Sequence, residues 1–376
     1  MGGGQVENEQ YKVTVPFEMR MGLIIVKVKI QGNDYDFMFD SGAPNVVSLE
    51  LGEKLKLKSA GKTYTRGSQG ERHRVDYANI ENIQIGGLNY THTSAAIMDL
   101  KKAVVLDCME LDGILGANVM RNSVWQINYQ KKEFIITNST DSLEFSAKLD
   151  TVPFTTKHTG TPVIDVSIGN ITQKRVTLDT GSGGHIDLDY STYKNNKKNN
   201  PNMKTTSGFG SSSSGIYGIG KPDTLVYFKV DTVSIGTVIL NDQICYASKS
   251  KTSSTLGTRF LENYIVTLDW GRDQMVLDSV SEYSYSELKH IGFKPKFTDN
   301  ALRVGFVYSE SVCAEQMSID DQILKIDSTD YTKITQQDFC TLILDTNKKD
   351  YENRTVHFVK NGQTHSITLS DSVLLK

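Results

Sequence analysis

The feature that most constrains the fold of this chain is an internal repeat built around two Asp-Ser/Thr-Gly strings. One string begins at Asp40 and the other at Asp179, 179 − 40 = 139 residues later, and each follows a strand-like apolar run. A single such string is a common turn, because Asp and Ser bond locally to the backbone and Gly accepts a positive φ. The significance therefore lies in what repeats around the two strings.

Two further landmarks repeat at nearly the same spacing. Val-Pro-Phe at 15–17 returns at 152–154, an offset of 152 − 15 = 137. An apolar-Leu-Gly element ending at Gly116 returns as Thr-Leu-Gly ending at Gly257, an offset of 257 − 116 = 141. Offsets that drift by so few residues predict a duplication of two similar lobes.

Length and charge narrow the class of protein. The chain has 376 residues, too many for one ordinary core, which predicts two or three domains. The net charge is −3, and acids and bases are interspersed, so neither a nucleic-acid partner nor a membrane surface is indicated. The apolar run 21–30 is too short for a transmembrane segment and contains two lysines. We expect a soluble globular protein.

The cysteines and the start of the chain carry little information about compartment. The four cysteines, Cys108, Cys245, Cys313 and Cys340, show no Cys-x-x-Cys spacing, so we expect four small buried residues and no zinc site.

Residues 1–5 lack the basic and apolar segments of a signal peptide and resemble the start of a cloned mature domain. Such a start is what remains when an export signal or lipid anchor has been removed.

Each lobe is predicted to be mainly β. Alternating apolar residues predict strands over 22–30 and 162–168, and the strands that return from them end at the two aspartates. Helices are expected to be few and short, chiefly over 49–57 and after the two Gly-ending elements.

Each lobe is also expected to carry a hairpin between its aspartate and its later glycine. The first hairpin would turn between Gly67 and Gly70, and the second within the Gly/Ser-rich segment that contains Gly208 and Gly210. Gly/Ser tips cannot pack a core, so these segments are either disordered loops or mobile covers over a substrate. Their position in the repeat favours the cover.

These motifs resemble the aspartic proteases, and more closely the single-chain form of the retropepsin-like bacterial branch. The resemblance covers roughly residues 11–280 and implies two β-barrel lobes, at 11–140 and 150–280, each donating one aspartate. The family's apolar-apolar-Gly elements lie behind the catalytic loops, which is where Gly116 and Gly257 would lie.

The resemblance implies that Asp40 and Asp179 form the catalytic pair. Two carboxyls held close together share one proton and titrate as a coupled pair. The ionised member takes a proton from a bound water while the protonated member polarises the scissile carbonyl, so a catalytic water is the only cofactor expected and no metal is needed. Peptides or proteins are the expected substrates, and a monomer is the expected active unit.

The neighbours of the aspartates have supporting roles in this hypothesis. Gly42 and Gly181 would let backbone N–H groups approach the carboxylates. The hydroxyls of Ser41 and Thr180 resemble the family's pair that bonds across the lobe interface.

The fourth positions of the two strings differ. Ser182 can donate a hydrogen bond to its carboxylate and Ala43 cannot, and fewer donors to an anion mean a higher pKa. We therefore expect Asp40 to hold the shared proton and activity to extend toward mild pH.

Two competing motifs are weaker. The segment 215–222 fits seven positions of a phosphate-binding P-loop but has Pro222 where Ser or Thr would hold Mg²⁺. His185, Asp187 and Asp189 alternate after the second string, which suggests a metal site but is more simply explained as one exposed strand face.

The C-terminal residues, 288–376, resemble a bacterial PDZ domain. The loop Ile291-Gly292-Phe293, a strand after Asp321 and a groove helix over 337–344 follow that family's order. The resemblance implies a groove in which an extended peptide adds as a strand, its terminal carboxylate received by the N–H groups of Gly292 and Phe293. A purely structural third domain is the alternative.

A final hairpin with its turn at Asn361-Gly362 is also predicted in this region.

The hypothesis from the sequence is an aspartic endopeptidase with a PDZ-like module that binds peptides or partners. The alternative is a catalytically inactive aspartic-protease-like protein that binds peptides. The presence of both aspartates, both glycines and both hydroxyls favours the enzyme. The resemblance also implies a bacterial cell-envelope or exported protein, periplasmic or lipid-anchored.

Overall fold

A computed structural model describes residues 2–67, 70–251, 253–344 and 353–376. Over these residues the chain is mainly β, as expected, and its helices are short. None of the helices in the described ranges is long and apolar enough to cross a membrane.

The first lobe contains eleven described strands, three α-helices and two 3-10 turns. They are β1 (Gly3–Val6), β2 (Lys12–Arg20), β3 (Leu23–Ile30), β4 (Asn33–Asp40), β5 (Val46–Ser48), α1 (Leu49–Lys54), β6 (Ser59–Arg66), β7 (Arg72–Ile85), β8 (Leu88–Met98), a 3-10 turn (Leu100–Lys102), α2 (Val104–Cys108), β9 (Gly113–Gly116), α3 (Ala117–Met120), β10 (Val124–Asn128), β11 (Glu133–Thr137) and a second 3-10 turn (Thr140–Ser142).

The second lobe follows with thirteen described strands and two helices. They are β12 (Leu149–Pro153), β13 (Thr155–Thr156), β14 (Pro162–Ile168), β15 (Ile171–Leu178), β16 (Ile186–Asp187), α4 (Tyr190–Asn199), β17 (Thr205–Gly210), β18 (Ser214–Gly215), β19 (Gly218–Ile219), β20 (Asp223–Ile235), β21 (Val238–Ser248), β22 (Thr255–Leu256), α5 (Thr258–Leu261), β23 (Tyr264–Asp269) and β24 (Gln274–Ser279).

The remaining elements form a C-terminal module. They are β25 (Leu288–His290), β26 (Phe293–Thr298), β27 (Ala301–Tyr308), α6 (Cys313–Gln316), β28 (Gln322–Ile326), β29 (Thr329–Asp330), α7 (Gln336–Leu344), β30 (Arg354–Lys360), β31 (Gln363–Leu369) and β32 (Ser372–Leu375).

The two lobes repeat the same strand order. In the first lobe neighbouring strands run β3-β4-β9-β5-β8-β7-β6, and in the second they run β14-β15-β22-β16-β21-β20-β17. An additional pairing of β3 with β7, and of β14 with β20, bends each sheet back on itself into a barrel. In both lobes the strand that leads to the aspartate is parallel to the strand that ends near the repeated glycine. In the first lobe this pairing places Asp40 opposite Gly116.

One sheet joins the two lobes. Its strands run β12-β24-β23-β10-β11-β2, and the central pair β10 and β23 comes from equivalent places in the repeat, with Gln126 opposite Thr267. The apolar core is continuous beneath it: Phe39, Trp125 and Phe134 pack together with ring centroids 4.6–5.4 Å apart. Because Phe39 directly precedes Asp40, this aromatic packing fixes the end of the strand that carries the aspartate.

The C-terminal module has its own apolar cluster and is tied to both lobes. Strand β27 pairs with β17 of the second lobe, with Gly208 opposite Tyr308. Cys340 of α7 forms a disulfide with Cys108 of α2 in the first lobe. The expectation of four unpaired cysteines is therefore wrong for this pair, whereas Cys245 and Cys313 are free and buried.

The C-terminal hairpin was predicted from the sequence, whereas helix α4 was not. The hairpin β30–β31 turns at Asn361 and Gly362, both at positive φ (51° and 76°), which confirms the predicted hairpin. Helix α4 was not expected, because its ten residues are polar and show no apolar periodicity. Its signal is the N-cap: the Asp189 side chain accepts a hydrogen bond from the Ser191 N–H.

Candidate active site

The two Asp-Ser/Thr-Gly loops meet between the lobes through reciprocal hydrogen bonds. The Ser41 N–H donates to Thr180 Oγ1 at 2.9 Å, and the Thr180 N–H donates to Ser41 Oγ at 3.1 Å. Each hydroxyl then donates to a carbonyl of the opposite lobe, Ser41 to Leu178 (2.7 Å) and Thr180 to Phe39 (3.1 Å). Both side chains are fully buried, so this network holds the loops in register.

This network brings the two aspartates together. The Gly42 N–H donates to Asp40 Oδ1 at 2.7 Å, and the Gly181 N–H donates to Asp179 Oδ1 at 3.1 Å. The two carboxyl groups also interact with each other, so that the negative charge of Asp179 acts on Asp40. Each aspartate retains partial exposure to solvent although protein surrounds it, as at the floor of a cleft.

The two glycines are required by the close approach of the loops. A Cβ added at Gly42 would lie 2.8 Å from Asp179 Oδ1, and one added at Gly181 would lie 2.3 Å from Asp40 Cγ. Each glycine therefore lies against the carboxyl of the opposite lobe, where any side chain would displace it.

The repeated glycines lie behind the loops. A Cβ at Gly116 would meet the backbone of Pro44 at 2.2 Å, and one at Gly257 would meet the Gly184 carbonyl oxygen at 2.4 Å. The residues after them support the fourth positions of the strings: the Ala117 N–H donates to the Ala43 carbonyl at 2.9 Å. In the second lobe the Thr258 N–H donates to the Ser182 carbonyl at 2.8 Å.

The electrostatic environments of the two aspartates differ. Burial raises the pKa of Asp40, and the negative charge of Asp179 raises it further, to well above its usual range. Burial also raises the pKa of Asp179, but there the positive charges of Lys251 and Lys157 act in the opposite direction. The pKa of both aspartates is therefore raised, and the nearby positive charges act on Asp179.

The cause of this asymmetry differs from the expected one. In the described structure Ser182 Oγ makes no hydrogen bond to Asp179, and only the Ser182 backbone N–H donates, to the Asp179 carbonyl at 3.2 Å. What distinguishes the surroundings of Asp179 is the positive charge of Lys251 and Lys157, two lysines that were not predicted from the sequence. Lys157 could have been found by comparing the lobes at the 137-residue offset, whereas Lys251 required the fold.

The first-lobe hairpin is formed by β6 and β7. At its tip the Gly67 N–H donates to the Glu71 carbonyl (2.9 Å), and the Gly70 N–H donates to the Gly67 carbonyl (3.0 Å). Residues 68 and 69, the centre of the predicted turn, lie outside the described residues.

In the second lobe the predicted turn begins too early. Gly208 and Gly210 lie within β17, which pairs with β20 on one side and β27 on the other. A Cβ at Gly208 would lie 2.4 Å from the Phe306 ring, so this glycine allows close packing rather than a mobile tip.

The connection between β17 and β20 reaches the first lobe. The Tyr217 ring stacks on the His73 ring with centroids 3.7 Å apart, and its hydroxyl hydrogen-bonds to the Thr65 hydroxyl. Thr65 and His73 belong to β6 and β7, so the hairpin regions of the two lobes touch each other.

The alternating residues after the second string do not share one exposed face. Asp187 is buried and forms an ion pair with Lys251. Asp189 caps α4, and the His185 ring stacks on Tyr285 with centroids 3.8 Å apart. The three side chains thus have three separate structural roles.

The strand and helix that would border the predicted peptide groove are β26 and α7 of the C-terminal module. Among the described strands β26 pairs only with β27, and the ring of Phe297 in β26 stacks on Phe339 of α7 at 5.4 Å. In the predicted carboxylate-binding loop the Gly292 N–H already donates to His290 Nδ1 at 3.2 Å.

The rest of this loop is held by the module itself. The Ile291 carbonyl accepts a hydrogen bond from Cys313 Sγ at 3.5 Å, and the Gly292 carbonyl accepts from the Tyr308 N–H at 3.0 Å. Phe293 is buried.

Part of the first lobe matches a known protein family. Residues 26–119 match a family model described as aspartyl protease. The matched stretch contains Asp40, both of its following string residues and Gly116, and it ends before Asp179. No curated protein gives a significant match to the chain. The match supports a peptidase function for a mainly β protein of this architecture.

Proposed function

We propose that this chain is a retropepsin-like aspartic endopeptidase that hydrolyses peptide bonds with a water activated by Asp40 and Asp179. The observation that carries the proposal is the contact of each loop's glycine with the other lobe's carboxyl. That geometry brings the two carboxyls together between the lobes at a partly exposed position, which is the arrangement that acid–base catalysis by a shared proton requires.

In the proposed reaction the two aspartates have different roles. Ionised Asp179 accepts a proton from the water, whose oxygen forms a bond to the scissile carbonyl carbon. Asp40 donates its proton to the carbonyl oxygen. As the tetrahedral species collapses, the carbon–nitrogen bond breaks and Asp179 gives its proton to the leaving amine. One hydroxyl of the tetrahedral species returns a proton to Asp40, so the pair regains its starting form.

The hairpin regions support a cleft that closes over an extended peptide. The contact of Tyr217 with Thr65 and His73 joins the two lobes beside the aspartates' own contact. We propose that 211–222 and the β6–β7 hairpin, rather than Gly208 and Gly210, form the substrate cover.

For the C-terminal module we propose a PDZ-like fold with a peptide site along β26. Support comes from the free edge of β26 among the described strands and from α7 facing it. The engaged N–H of Gly292 favours recognition of an internal extended segment over a free carboxylate.

The decisive experiment is cleavage of a mixed peptide library by the full chain, analysed by mass spectrometry. We expect cleavage that a statine-type inhibitor blocks and that Asp40→Ala or Asp179→Ala abolishes. Asp231→Ala, an exposed residue of β20, is the matched control and retains activity. Peptide binding without turnover from acidic to neutral pH would favour the non-catalytic peptide binder.

A further inference from the structure

A largely buried ion pair lies two strands away from the proposed catalytic aspartate of the second lobe. Lys251 Nζ contacts Asp187 Oδ2, and the side chains are only 18% and 9% exposed. Strand β16, which carries Asp187, pairs with β22, and the Asp179 N–H donates to the Leu256 carbonyl of β22 at 3.0 Å. A short strand thus separates the ion pair from Asp179.

The ion pair is not electrostatically complete. Asp187 Oδ1 is buried and has no hydrogen-bond partner within the described ranges, and the positive charge of Lys251 also acts on Asp179. Desolvating two charges is costly, and a buried ion pair is weak evidence for stability alone.

A second lysine approaches Asp179 from another segment. Lys157 Nζ donates to Thr177 Oγ1 at 2.7 Å, and Thr177, near the end of β15, precedes Asp179 by two residues. Lys157 is half-buried, and no described carboxylate lies within ion-pair distance of it.

The positions of the first lobe that are equivalent to Lys157 and Lys251 carry different charges. At the repeat position of Lys157 (157 − 137 = 20) stands Arg20, which pairs with Asp36 at 2.8 Å and with Glu18 at 3.0 Å. At the position of Asp36 (36 + 139 = 175) the second lobe has Arg175 instead of an acid.

Lys251 shows the same contrast between the lobes. It lies six residues before Gly257, and the residue six positions before Gly116 is an acid, Glu110. The equivalent positions of the first lobe thus hold a base paired with two acids and an acid, whereas in the second lobe Lys157 has no ion-pair partner among the described residues.

We propose that Lys251, held in place by Asp187, and Lys157 are positioning residues that keep Asp179 ionised and leave the shared proton on Asp40. This inference rests on the proposed function, because it assigns the two roles within the same pair of aspartates. The charged groups that face Asp179 are Asp40, Asp187, Lys251 and Lys157. The negative charge of Asp187 opposes that of Lys251 at Asp179, and Arg175 acts on Lys157.

The first test does not require activity. In an Asp40→Asn background the titration of Asp179 is followed by ¹³C NMR of its carboxyl carbon. We expect Lys251→Met to raise the pKa of Asp179 by about one unit, the size of one nearby charge in a partly solvated site, and Lys251→Arg to restore it. In an Asp179→Asn background the same Lys251→Met change should move Asp40 much less.

Matched variants make this test specific. Lys249→Met removes an exposed lysine two residues away and should leave Asp179 unchanged. Lys157→Met should shift Asp179 in the same direction as Lys251→Met, and it also serves if the latter fails to fold. The inference is overturned if neither substitution moves Asp179, or if Asp40 moves as far as Asp179.

The second test uses a quenched fluorescent peptide that the unmodified chain cleaves. Because Asp179 must be ionised, the acidic limb of kcat/KM should move to higher pH by about one unit in Lys251→Met and stay in place in Lys251→Arg and Lys249→Met. A limb that does not move would contradict the inference. If the unmodified chain cleaves no peptide, the proposed function fails, and the NMR titration still decides the inference.

Discussion

Asp36 and Asp40 lie four residues apart in the same strand, yet folding acts on their charges in opposite directions. Burial would raise the pKa of Asp36, but ion pairs with Lys27 and Arg20 outweigh it and lower the pKa overall. For Asp40 burial and the charge of Asp179 both raise the pKa. The charge of Asp36 thus stabilises the folded chain, and that of Asp40 destabilises it.

The destabilising effect of the Asp40 charge can be tested by measuring the free energy of unfolding at different pH values. With a raised pKa in the folded state, the unfolded chain ionises first, so stability falls as pH rises above the ordinary carboxyl pKa. Asp40→Asn should therefore increase the free energy of unfolding at neutral pH and have no effect at about pH 3. The difference should grow by at most about 1.4 kcal/mol per pH unit for one proton.

Asp36→Asn is the matched control with the opposite sign. Its contribution is present above the ordinary carboxyl pKa and is lost as pH falls through the lowered value, so the variant should be less stable at neutral pH and converge with the unmodified chain in acid. Thermal unfolding midpoints from about pH 3 to about pH 8 measure both effects. A pH-independent gain for Asp40→Asn would contradict the interpretation.

The site residues that lie close together along the chain could be predicted from the sequence. Both strings and both repeated glycines could be assigned from local spacing, because each string's hydrogen bonds begin within its own turn. Lys251 could not be predicted, since it follows Asp179 by 251 − 179 = 72 residues and is brought near it by the pairing of β15 with β22. Such proximity is a property of sheet order, not of a motif.

At the scale of elements, the two hairpins differ in how firmly they are held. Strand β17 of the second lobe is paired on both sides. In the first lobe β6 pairs only with β7 among the described strands, so its tip depends on side-chain contacts with Tyr217. We expect the β6–β7 hairpin to be the more mobile of the two.

Removing the Tyr217 side chain tests this contact. Tyr217→Ala loses both the ring stack on His73 and the hydrogen bond to Thr65, whereas Tyr217→Phe loses only the hydrogen bond. We expect KM for a cleaved peptide to rise about 3- to 10-fold in the alanine variant and less in the phenylalanine variant. Faster amide exchange in β6 and β7 should accompany it. Ile239→Ala, at an exposed site of β21, should change neither quantity.

For the whole molecule, the C-terminal module acts as part of the protease-like body rather than as an appended domain. It shares a sheet with the second lobe through β17 and β27, and the disulfide fixes α7 to the first lobe. The duplication could be predicted because it repeats in the sequence. The disulfide could not be predicted, because its cysteines are 232 residues apart in the sequence. Cys108 lies in the first lobe and Cys340 in the C-terminal module.

The disulfide should contribute measurably to stability. A cross-link that closes so long a loop restricts the unfolded chain, and removing a native disulfide costs about 2–5 kcal/mol. Cys108→Ser/Cys340→Ser should therefore lower the unfolding midpoint, and a reductant should lower that of the unmodified chain but not that of the double variant. Equal midpoints for the oxidised chain and the double variant would show that the cross-link contributes nothing.

The pairing of β17 with β27 has one more consequence, for fragments of the chain. A piece that ends near residue 280 keeps both aspartates but loses β27, which leaves the outer backbone groups of β17 without partners. An unpaired edge strand of this kind recruits other chains by forming an intermolecular β-sheet. The module thus shields the protease-like lobes from self-association, and a shortened form that retains every active-site residue is a candidate for aggregation rather than a minimal enzyme.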